Sequence, residues 1–243
     1  IIGSGPAGLA AADLLRRKGY QVIVYDRYDR VGGLLIYGIP GFKLEKEIVT
    51  RRHELLEQGG VHFQLECEIG RDISFTDLQE KHDAVLIATG VYKARDINLV
   101  GSELKGVVPA LDYLIASNRK SLGDDVPSFN EGTLNAASKN VVVVGGGDTA
   151  MDCVRTAIRQ NAKSVTCLYR RDRANMPGSQ REVQNAEEEG VNFQWLSAPT
   201  QFLGESEVSS VRAQRIHLGQ PDSTGRQVPN LVPGSEFDIS ADI

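Results

Sequence analysis

Two glycine-rich turns of identical spacing constrain this chain most, because each follows an apolar segment and opens a helical one. They are Gly3-Ser4-Gly5-Pro6-Ala7-Gly8 and Gly145-Gly146-Gly147-Asp148-Thr149-Ala150. The first glycine of such a turn makes the bend, the second lets backbone approach a diphosphate, and the third small residue brings helix against strand. The helix N-terminus adds free N–H groups and the positive end of its dipole. Two such turns predict two bound dinucleotides and electron transfer between them.

The residue that ends the next strand distinguishes the first ligand. After the first turn, residues 9–18 are predicted to form a helix and residues 21–25 a strand, which leads to Asp26. An acid at this place accepts hydrogen bonds from a ribose hydroxyl pair. We therefore predict that the first turn binds an adenosine with free ribose hydroxyls, as in FAD or NAD.

The corresponding position after the second turn carries the opposite charge. A predicted helix at residues 151–160 and a predicted strand at 165–169 lead to Arg170 and Arg171. An acid would repel a 2′-phosphate, whereas a guanidinium group binds it through two hydrogen bonds. The second turn is therefore predicted to bind NADPH, with a pair of ordinary solvated surface arginines as the alternative.

Composition excludes several other classes of protein. The net charge of −5 over 243 residues argues against a general nucleic-acid binder. No apolar run approaches the roughly 18–20 residues of a membrane span, and no signal-peptide pattern surrounds Ile1. The expected location is therefore the cytoplasm. We suspect that the chain is truncated at both ends, because its first strand begins two residues before Gly3 and residues 239–243 resemble the start of a buried strand.

The cysteines and histidines predict neither a metal site nor a catalytic side chain. Cys67, Cys153 and Cys167 form no pair with iron–sulfur or zinc spacing, and buried reduced thiols are expected. The four histidines are scattered, so they indicate surface or packing roles.

The remaining pattern predicts an α/β chain of two Rossmann-like domains, at residues 1–98 and 99–243. In the first, Leu44, Ile48, Leu55 and Leu56 are expected on the inward face of a helix over residues 44–58, followed by strands at 61–66 and 84–88 around a short helix at 76–81. In the second, we predict a helix at 110–120, a loop at 123–140, a capping box at Ser179–Glu182 that begins a helix ending near Gly190, and a turn at residues 221–225 between antiparallel strands.

Five segments together resemble the glutamate synthase small subunit and its electron-input relatives, including the corresponding part of dihydropyrimidine dehydrogenase. The segments are GSGPAG (3–8), VGGLLIYGIPGFKLEKE (31–47), DAVLIATG (83–90), VVVVGGGDTAMDCVRTAIRQ (141–160) and YRRDRANMPGSQREV (169–183). The resemblance covers nearly the whole chain. It implies the fold of flavoproteins that bind two dinucleotides.

The resemblance also implies roles for individual residues. FAD would be held at its diphosphate by Gly3, Ser4, Gly5, Pro6 and Ala7, at its ribose by Asp26, near its flavin by Gly33, Leu34 and Lys43, and near its adenine by Ile69. NADPH would be held by Gly145, Gly147, Asp148, Thr149 and Ala150 at the phosphates, by Arg170 and Arg171 at the 2′-phosphate, and by Arg181 at a further phosphate. A solvated helix-entry lysine is the alternative for Lys43.

Electrons would leave for iron–sulfur clusters in a segment outside this chain and for a large catalytic or iron–sulfur partner subunit. In glutamate synthase they serve glutamate formation from glutamine and 2-oxoglutarate. The resemblance has departures: Asp26 stands where Glu is more usual, Gln180 stands where relatives often have Arg, and a C-terminal flavin segment is absent, which predicts weak FAD retention.

Three alternatives stay open at this stage. One is a relative with another acceptor, such as a ferredoxin:NADP oxidoreductase. Another is a thioredoxin reductase-like enzyme, which the isolated Cys153 disfavours. The third is a dinucleotide-sensing module without turnover.

Overall fold

The computed structural model describes residues 1–93, 97–221, 223 and 225–243. The chain divides into two compact units, Ile1–Lys93 and Ala94–Ile243. Each contains a parallel sheet with helices packed on it, which confirms the α/β class and the two Rossmann-like units. The predicted boundary after residue 98 stays a prediction, since residues 94–96 lie outside the described ranges.

A short parallel sheet and the helices around it form the first unit. Its elements are α1 (Pro6–Arg17), β1 (Val22–Tyr25), α2 (Leu34–Tyr37), α3 (Lys46–Gln58), β2 (Val61–Gln64) and α4 (Phe75–Lys81). β1 and β2 pair in parallel. Ile2 forms parallel bridges with Tyr25 and Ile87, so residues before and after these strands extend the sheet past β1. The first glycine turn therefore lies at the carboxyl edge of this sheet, the edge at which α/β folds bind ligands.

The predicted strand at residues 84–88 is present only as an isolated pairing. Ile2 N donates to Leu86 O at 2.8 Å, and Ala88 N donates to Ile2 O at 2.8 Å. Leu86 is 43% exposed and Ile87 is 62% exposed. The apolar run therefore marks a pairing partner of Ile2, and the predicted strand at residues 84–88 is reduced to a bridge at Ile87.

The inward face of α3 differs from the predicted one. Leu56 is buried as expected, but Ile48 and Leu55 are 45% and 54% exposed. Val49 and the stem of Lys46 are buried in their place. Val49 and Leu56 are seven residues apart and therefore lie on one face, while Ile48 and Leu55 are rotated one position away from it.

Two sheets make up the second unit. Its elements are α5 (Ala110–Ser121), α6 (Pro127–Asn130), β3 (Asn140–Val144), α7 (Asp148–Arg159), β4 (Ser164–Tyr169), α8 (Gln180–Glu188), β5 (Asn192–Trp195), β6 (Ser197–Gly204), β7 (Val208–Pro221) and β8 (Gln227–Ser240). β3, β4 and β5 form a parallel sheet, and β6, β7 and β8 an antiparallel one. The short helix α6 interrupts the predicted loop at 123–140.

The antiparallel hairpin of β7 and β8 agrees with the prediction of antiparallel strands. Of the predicted turn between them, Asp222 and Thr224 lie outside the described residues. Residues 239 and 240 finish β8, so they do not begin a separate strand. After them, Asp242 N donates to Asn140 O at 2.8 Å, which ties this segment to β3.

The capping box predicted at the start of α8 does not form. Ser179 is the N-cap residue, but its hydroxyl accepts no hydrogen bond from the helix. The Glu182 carboxylate instead accepts a 2.7 Å bond from the Arg155 guanidinium on α7. The ion pair with Arg155 thus engages the Glu182 side chain that the capping box requires. Gly190, with φ of 95°, follows the helix end as predicted.

Helix α7 is almost completely enclosed, and it begins at the second glycine turn. Met151, Val154 and Ala157 have no exposed surface. They pack in one core with residues of α5, β4 and α8. Burial of Met151 and of Val154 contributes about 1.5–3 kcal/mol each, so the helix that begins at this turn is held firmly in the core. Within the described part of the chain, we find no helix long and apolar enough to cross a membrane.

Candidate nucleotide-binding sites

The first and third glycines of the first turn are required by contacts within the turn. Gly3 has φ of 106°, a conformation that L side chains rarely adopt, and a Cβ there would collide with the Ala88 carbonyl oxygen. A Cβ on Gly8 would collide with the Gly3 carbonyl oxygen. Helix α1 therefore lies directly against the turn, in agreement with the packing role of a third glycine.

Gly5 supplies the open side of the turn. It is the N-cap residue of α1, in extended conformation, and no side chain caps the helix. A Cβ on Gly5 would meet no atom within 4 Å. Pro6 has no N–H group, and Leu9 N is the first to bond back, to Gly5 O at 2.9 Å. The N–H groups of Ala7 and Gly8 therefore lack intrahelical partners, which is the arrangement that binds a diphosphate.

Asp26 connects the end of β1 to this turn. Its Oδ2 accepts hydrogen bonds from Ser4 N at 2.6 Å and from Ser4 Oγ at 2.5 Å. Its Oδ1 accepts from Tyr28 N at 3.0 Å. Ser4 is completely buried, so its side chain contacts Asp26 and not the cleft. The carboxylate is thus held in one orientation beside the glycine turn.

An open cleft of about 670 Å³ lies at this edge of the first unit. Seven predicted FAD residues line it: Gly3, Gly5, Pro6, Ala7, Asp26, Leu34 and Ile69. The structure therefore brings the diphosphate, ribose, flavin and adenine candidates of the sequence to one concave surface.

Gly33 borders the cleft, whereas Lys43 lies outside its lining. Gly33 has φ of 54°, and a Cβ on it would lie 2.9 Å from Gly5 Cα. Lys43 is exposed in the turn before α3. The buried lysine of this segment is Lys46, whose Nζ donates to Leu35 O at 3.0 Å and also to Ile39 O. Lys46 therefore anchors the loop that carries Gly33, a role that the sequence pattern did not reveal.

Further side chains of the cleft were missed, among them one cation and two tyrosines. Arg27, Tyr28 and Tyr92 line it together with the predicted residues. Arg27 and Tyr28 directly follow Asp26, which was the available signal, but Tyr92 is distant in sequence. Burial, followed by the neighbouring Tyr28 and Asp26, raises the pKa of Tyr92 to about 12.

The second turn has the same glycine geometry as the first, but its third position has room for a methyl group. Gly145 has φ of 145°, and its N donates to Leu168 O at 3.1 Å. Gly147 is the extended N-cap residue of α7, and a Cβ on it would meet no atom within 4 Å. Ala150 is buried, and its Cβ lies 3.7 Å from the position of a Cβ on Gly145. This turn therefore accepts a methyl group where the first requires glycine.

The segment after β4 folds back onto the second turn. Gly178 N donates to Gly146 O at 2.9 Å, and Ser179 N donates to Asp148 Oδ1 at 3.0 Å. A Cβ on Gly146 would collide with the ring of Tyr169. The Asp148 carboxylate is thus engaged by Ser179, and Thr149 is exposed in the first turn of α7. Ala150 N already donates to Gly147 O at 2.9 Å, so the N–H groups of Asp148 and Thr149 are the first-turn donors of α7 that remain available for phosphate.

The predicted 2′-phosphate arginines have different surroundings. Arg170 is exposed at the end of β4 and has no hydrogen-bond or ion-pair partner within the described ranges. Arg171 is half-buried, and its Nε donates to Gln227 O at 3.2 Å. Arg181 is exposed in the first turn of α8, also without a partner in the described chain. Gln180 Nε2 donates to Arg173 O at 3.1 Å.

The cysteines are free and buried, as predicted. Burial raises the pKa of Cys167 to about 12. Burial is also the largest of the causes that raise the pKa of Cys153. The Cys167 thiol donates to Gly145 O at 3.3 Å and thereby links β4 to the second turn. No group of side chains with metal-ligand composition occurs among the described residues.

Comparisons with known proteins agree with this arrangement. Residues 1–224 match the family described as pyridine nucleotide-disulphide oxidoreductase. The glutamate synthase [NADPH] small chain of Azospirillum brasilense is 65% identical over 100% of this chain and 50% of that protein. A putative glutamate synthase [NADPH] small chain of Cereibacter sphaeroides is 64% identical over 100% of this chain and 58% of that protein. The chain thus spans about half the length of these curated relatives.

A solved structure is similar in fold at low sequence identity. Mycobacterium tuberculosis FprA in complex with NADPH superposes with a TM-score of 0.82 at 19% identity, over 100% of this chain and 68% of that one. The predicted resemblance to glutamate synthase small subunits is confirmed by the identities above. This chain therefore belongs to the pyridine nucleotide-disulphide oxidoreductase family.

Proposed function

We propose that this chain binds FAD at its first glycine turn and NADPH at its second, and that it is the electron-input part of an NADPH-dependent oxidoreductase. One observation carries the proposal. The same diphosphate cradle occurs twice, followed once by the buried acid Asp26 and once by the exposed cation Arg170. A carboxylate favours free ribose hydroxyls and repels a 2′-phosphate, while a guanidinium group attracts it.

Donor groups and apolar surface of the first cleft support the binding of FAD. Gly5 leaves open space beside the free N–H groups of α1, where a diphosphate belongs. Asp26 is already oriented by Ser4 and Tyr28, so binding a ribose requires little reorganisation. Leu34 and Ile69 supply apolar surface along the same cleft.

The second site fits a 2′-phosphorylated dinucleotide. Gly147 provides the open approach to α7, and Asp148 and Thr149 contribute its first backbone N–H groups. Arg170 has no competing carboxylate in the described structure, so its guanidinium group is available to a phosphate. Arg181, which also has no partner among the described residues, offers a second cation on α8 for another phosphate.

When bound, the two cofactors supply the hydride donor and acceptor, namely the nicotinamide C4 and the flavin N5. The chain's own residues bind and orient them, and no side-chain acid, base or nucleophile is assigned. The buried cysteines, with raised pKa, fit packing rather than a thiol–disulfide step. A thioredoxin reductase-like mechanism is therefore disfavoured.

We further propose that electrons continue to iron–sulfur centres outside this chain and to a large partner subunit. The terminal reaction would be formation of glutamate from glutamine and 2-oxoglutarate. The names of the A. brasilense and C. sphaeroides relatives support this assignment. A ferredoxin or another acceptor is the alternative, because none of the described residues identifies the acceptor.

Anaerobic stopped-flow absorbance of the FAD-loaded protein tests the core of the proposal. NADPH should bleach the visible band of oxidised flavin quickly, and NADH should do so much more slowly. Tight NADPH binding without bleaching would instead indicate a dinucleotide-sensing module. Glutamate production from glutamine and 2-oxoglutarate, with the partner subunit present, tests the terminal reaction separately.

A further inference from the structure

A cation is held over the first cleft by two aromatic rings. Arg27 directly follows Asp26, and its guanidinium carbon lies 5.0 Å from the Tyr28 ring centre and 4.8 Å from the Tyr92 ring centre. The two rings are 5.8 Å apart and tilted by 42°. Arg27 Nη2 also donates to Tyr28 Oη at 3.3 Å. Such cation–π contacts restrain a side chain that would otherwise move freely in solvent.

The charge of Arg27 has no acidic partner within the described ranges. Its neighbour Asp26 is already occupied by Ser4 and by the Tyr28 backbone. An oriented guanidinium group without a carboxylate is suited to a bidentate phosphate contact. The ligand that this cleft is proposed to bind carries two phosphates.

The Tyr92 hydroxyl extends the same feature toward the glycine turn. It lies 3.4 Å from the position of a Cβ on Gly33, which is itself 2.9 Å from Gly5 Cα. The hydroxyl has no hydrogen-bond partner within the described structure. Since burial keeps the pKa of Tyr92 near 12, it retains its proton and remains a donor at neutral pH. A donor without a partner in the described structure thus lies in the same cleft as Gly5, next to Gly33.

We propose that Arg27 and Tyr92 form a second anion-binding element of this cleft, which binds the diphosphate of the dinucleotide together with the N-terminus of α1. Tyr28 supports it by holding the Arg27 guanidinium group. The inference rests on the proposed function, because it concerns the same FAD cleft. It adds a cation and a hydroxyl to a cradle that the sequence described only as backbone N–H groups.

Calorimetric binding of ADP and of adenosine to the protein separates phosphate contacts from base and ribose contacts. Arg27→Met keeps most of the aliphatic stem and removes the charge. It should weaken ADP and FAD binding about tenfold or more, because one charged hydrogen bond contributes about 1.5–3 kcal/mol. Adenosine binding should change less than about twofold. Raising the salt concentration should reduce the difference between variant and wild type for ADP.

Tyr92→Phe removes only the hydroxyl, and it should weaken ADP binding about fivefold, as expected for a neutral hydrogen bond. Arg27→Lys, which keeps the charge but not the planar fork, should recover part of the ADP affinity. Arg17→Met is the matched control, since Arg17 is exposed on α1 and does not line the cleft. It should bind both ligands like the wild type.

Equal weakening of ADP and adenosine by Arg27→Met would overturn the inference, and so would unchanged ADP binding in both Arg27→Met and Tyr92→Phe. If Arg27→Met does not fold, the Tyr92→Phe and Arg27→Lys data decide the question. ADP binding is measured without NADPH, so its result is independent of flavin bleaching. A wild-type protein that binds neither ADP nor FAD would instead contradict the proposed function itself.

Discussion

The two glycine turns of this chain share one spacing. They differ in the residue that fits at the third position and in the ion pair that joins the following helix to its neighbour. At the third position, Gly8 lies against the Gly3 carbonyl, whereas the second turn contains the methyl group of Ala150. Helix α1 is tied to α3 by the partly exposed pair Asp13–Arg52, and α7 is tied to α8 by the buried Arg155. The spacing thus specifies the backbone geometry that the two turns share, while the surroundings determine which substitutions each turn tolerates.

The largest difference is expected between the two ion pairs that hold these helices. Arg155 is 9% exposed and donates to both Glu182 and Glu189 at 2.7 Å. Arg155→Met should lower the free energy of unfolding of the second unit by about 3 kcal/mol, because it leaves two partly buried carboxylates without this partner. Arg52→Met should cost less than about 1 kcal/mol, since the Arg52 side chain is 42% exposed. Urea denaturation measures both, and equal losses would contradict this comparison.

The next largest effects on stability are expected from substitutions at the third position of each turn, Gly8 and Ala150. Gly8→Ala should destabilise the first unit by about 2–3 kcal/mol and weaken FAD binding, because the new methyl group forces α1 away from the turn. Ala150→Gly should cost about 1 kcal/mol, mainly through backbone entropy. Thermal unfolding and FAD titration test the pair. Normal FAD affinity in a stable Gly8→Ala variant would show that the close helix approach is dispensable.

The charge that follows β1 in the first unit and β4 in the second should determine the preference for a 2′-phosphate. Arg170→Gln should weaken binding of 2′-phosphorylated AMP by about 2 kcal/mol, or about thirtyfold, with little effect on 5′-AMP. Arg171→Gln should have a smaller effect, because Arg171 Nε is already bonded to Gln227 O. Titration with the two nucleotides gives the ratio directly. A larger loss in Arg171→Gln than in Arg170→Gln would reverse the assigned roles.

The smallest expected effect is a pH dependence of the second unit. Hydrogen bonds from Arg159, followed by those from Arg155, lower the pKa of Glu189 from 4.5 to about 2. Its stabilisation is therefore complete above about pH 5 and is lost as pH falls through 4.5 toward 2. Relative to Glu189→Gln, the wild type should gain about 1 kcal/mol at neutral pH and nothing near pH 2. A constant difference across that range would exclude Glu189 as the titrating group.

Much of the site could be predicted because its determinants are local. The glycine spacings locate the starts of α1 and α7, since a bend and a close backbone approach need residues without side chains. Asp26 and Arg170 follow from their positions at strand ends. Seven of the predicted FAD residues line one cleft for the same reason.

The predictions that failed involve partners far away in sequence. The capping box at Ser179 does not form because Arg155 draws Glu182 to α7. The sequence did not single out Lys46, whose ammonium group donates to the carbonyl groups of Leu35 and Ile39. Tyr92 carried no signal, because its place over Arg27 depends on how the segment after Gly90 returns to the cleft.

The sequence by itself determined the class of fold, the two diphosphate turns and the opposite charges that follow them. These depend on backbone geometry and on residues within about 25 positions of each turn, which a strand–helix–strand unit brings together whatever its surroundings. Only the tertiary structure decided which of the neighbouring arginines and lysines are engaged and which remain available. Burial and long-range hydrogen bonds made that choice: they fixed Arg155, Arg171 and Lys46 in place and left Arg27 and Arg170 without a carboxylate among the described residues.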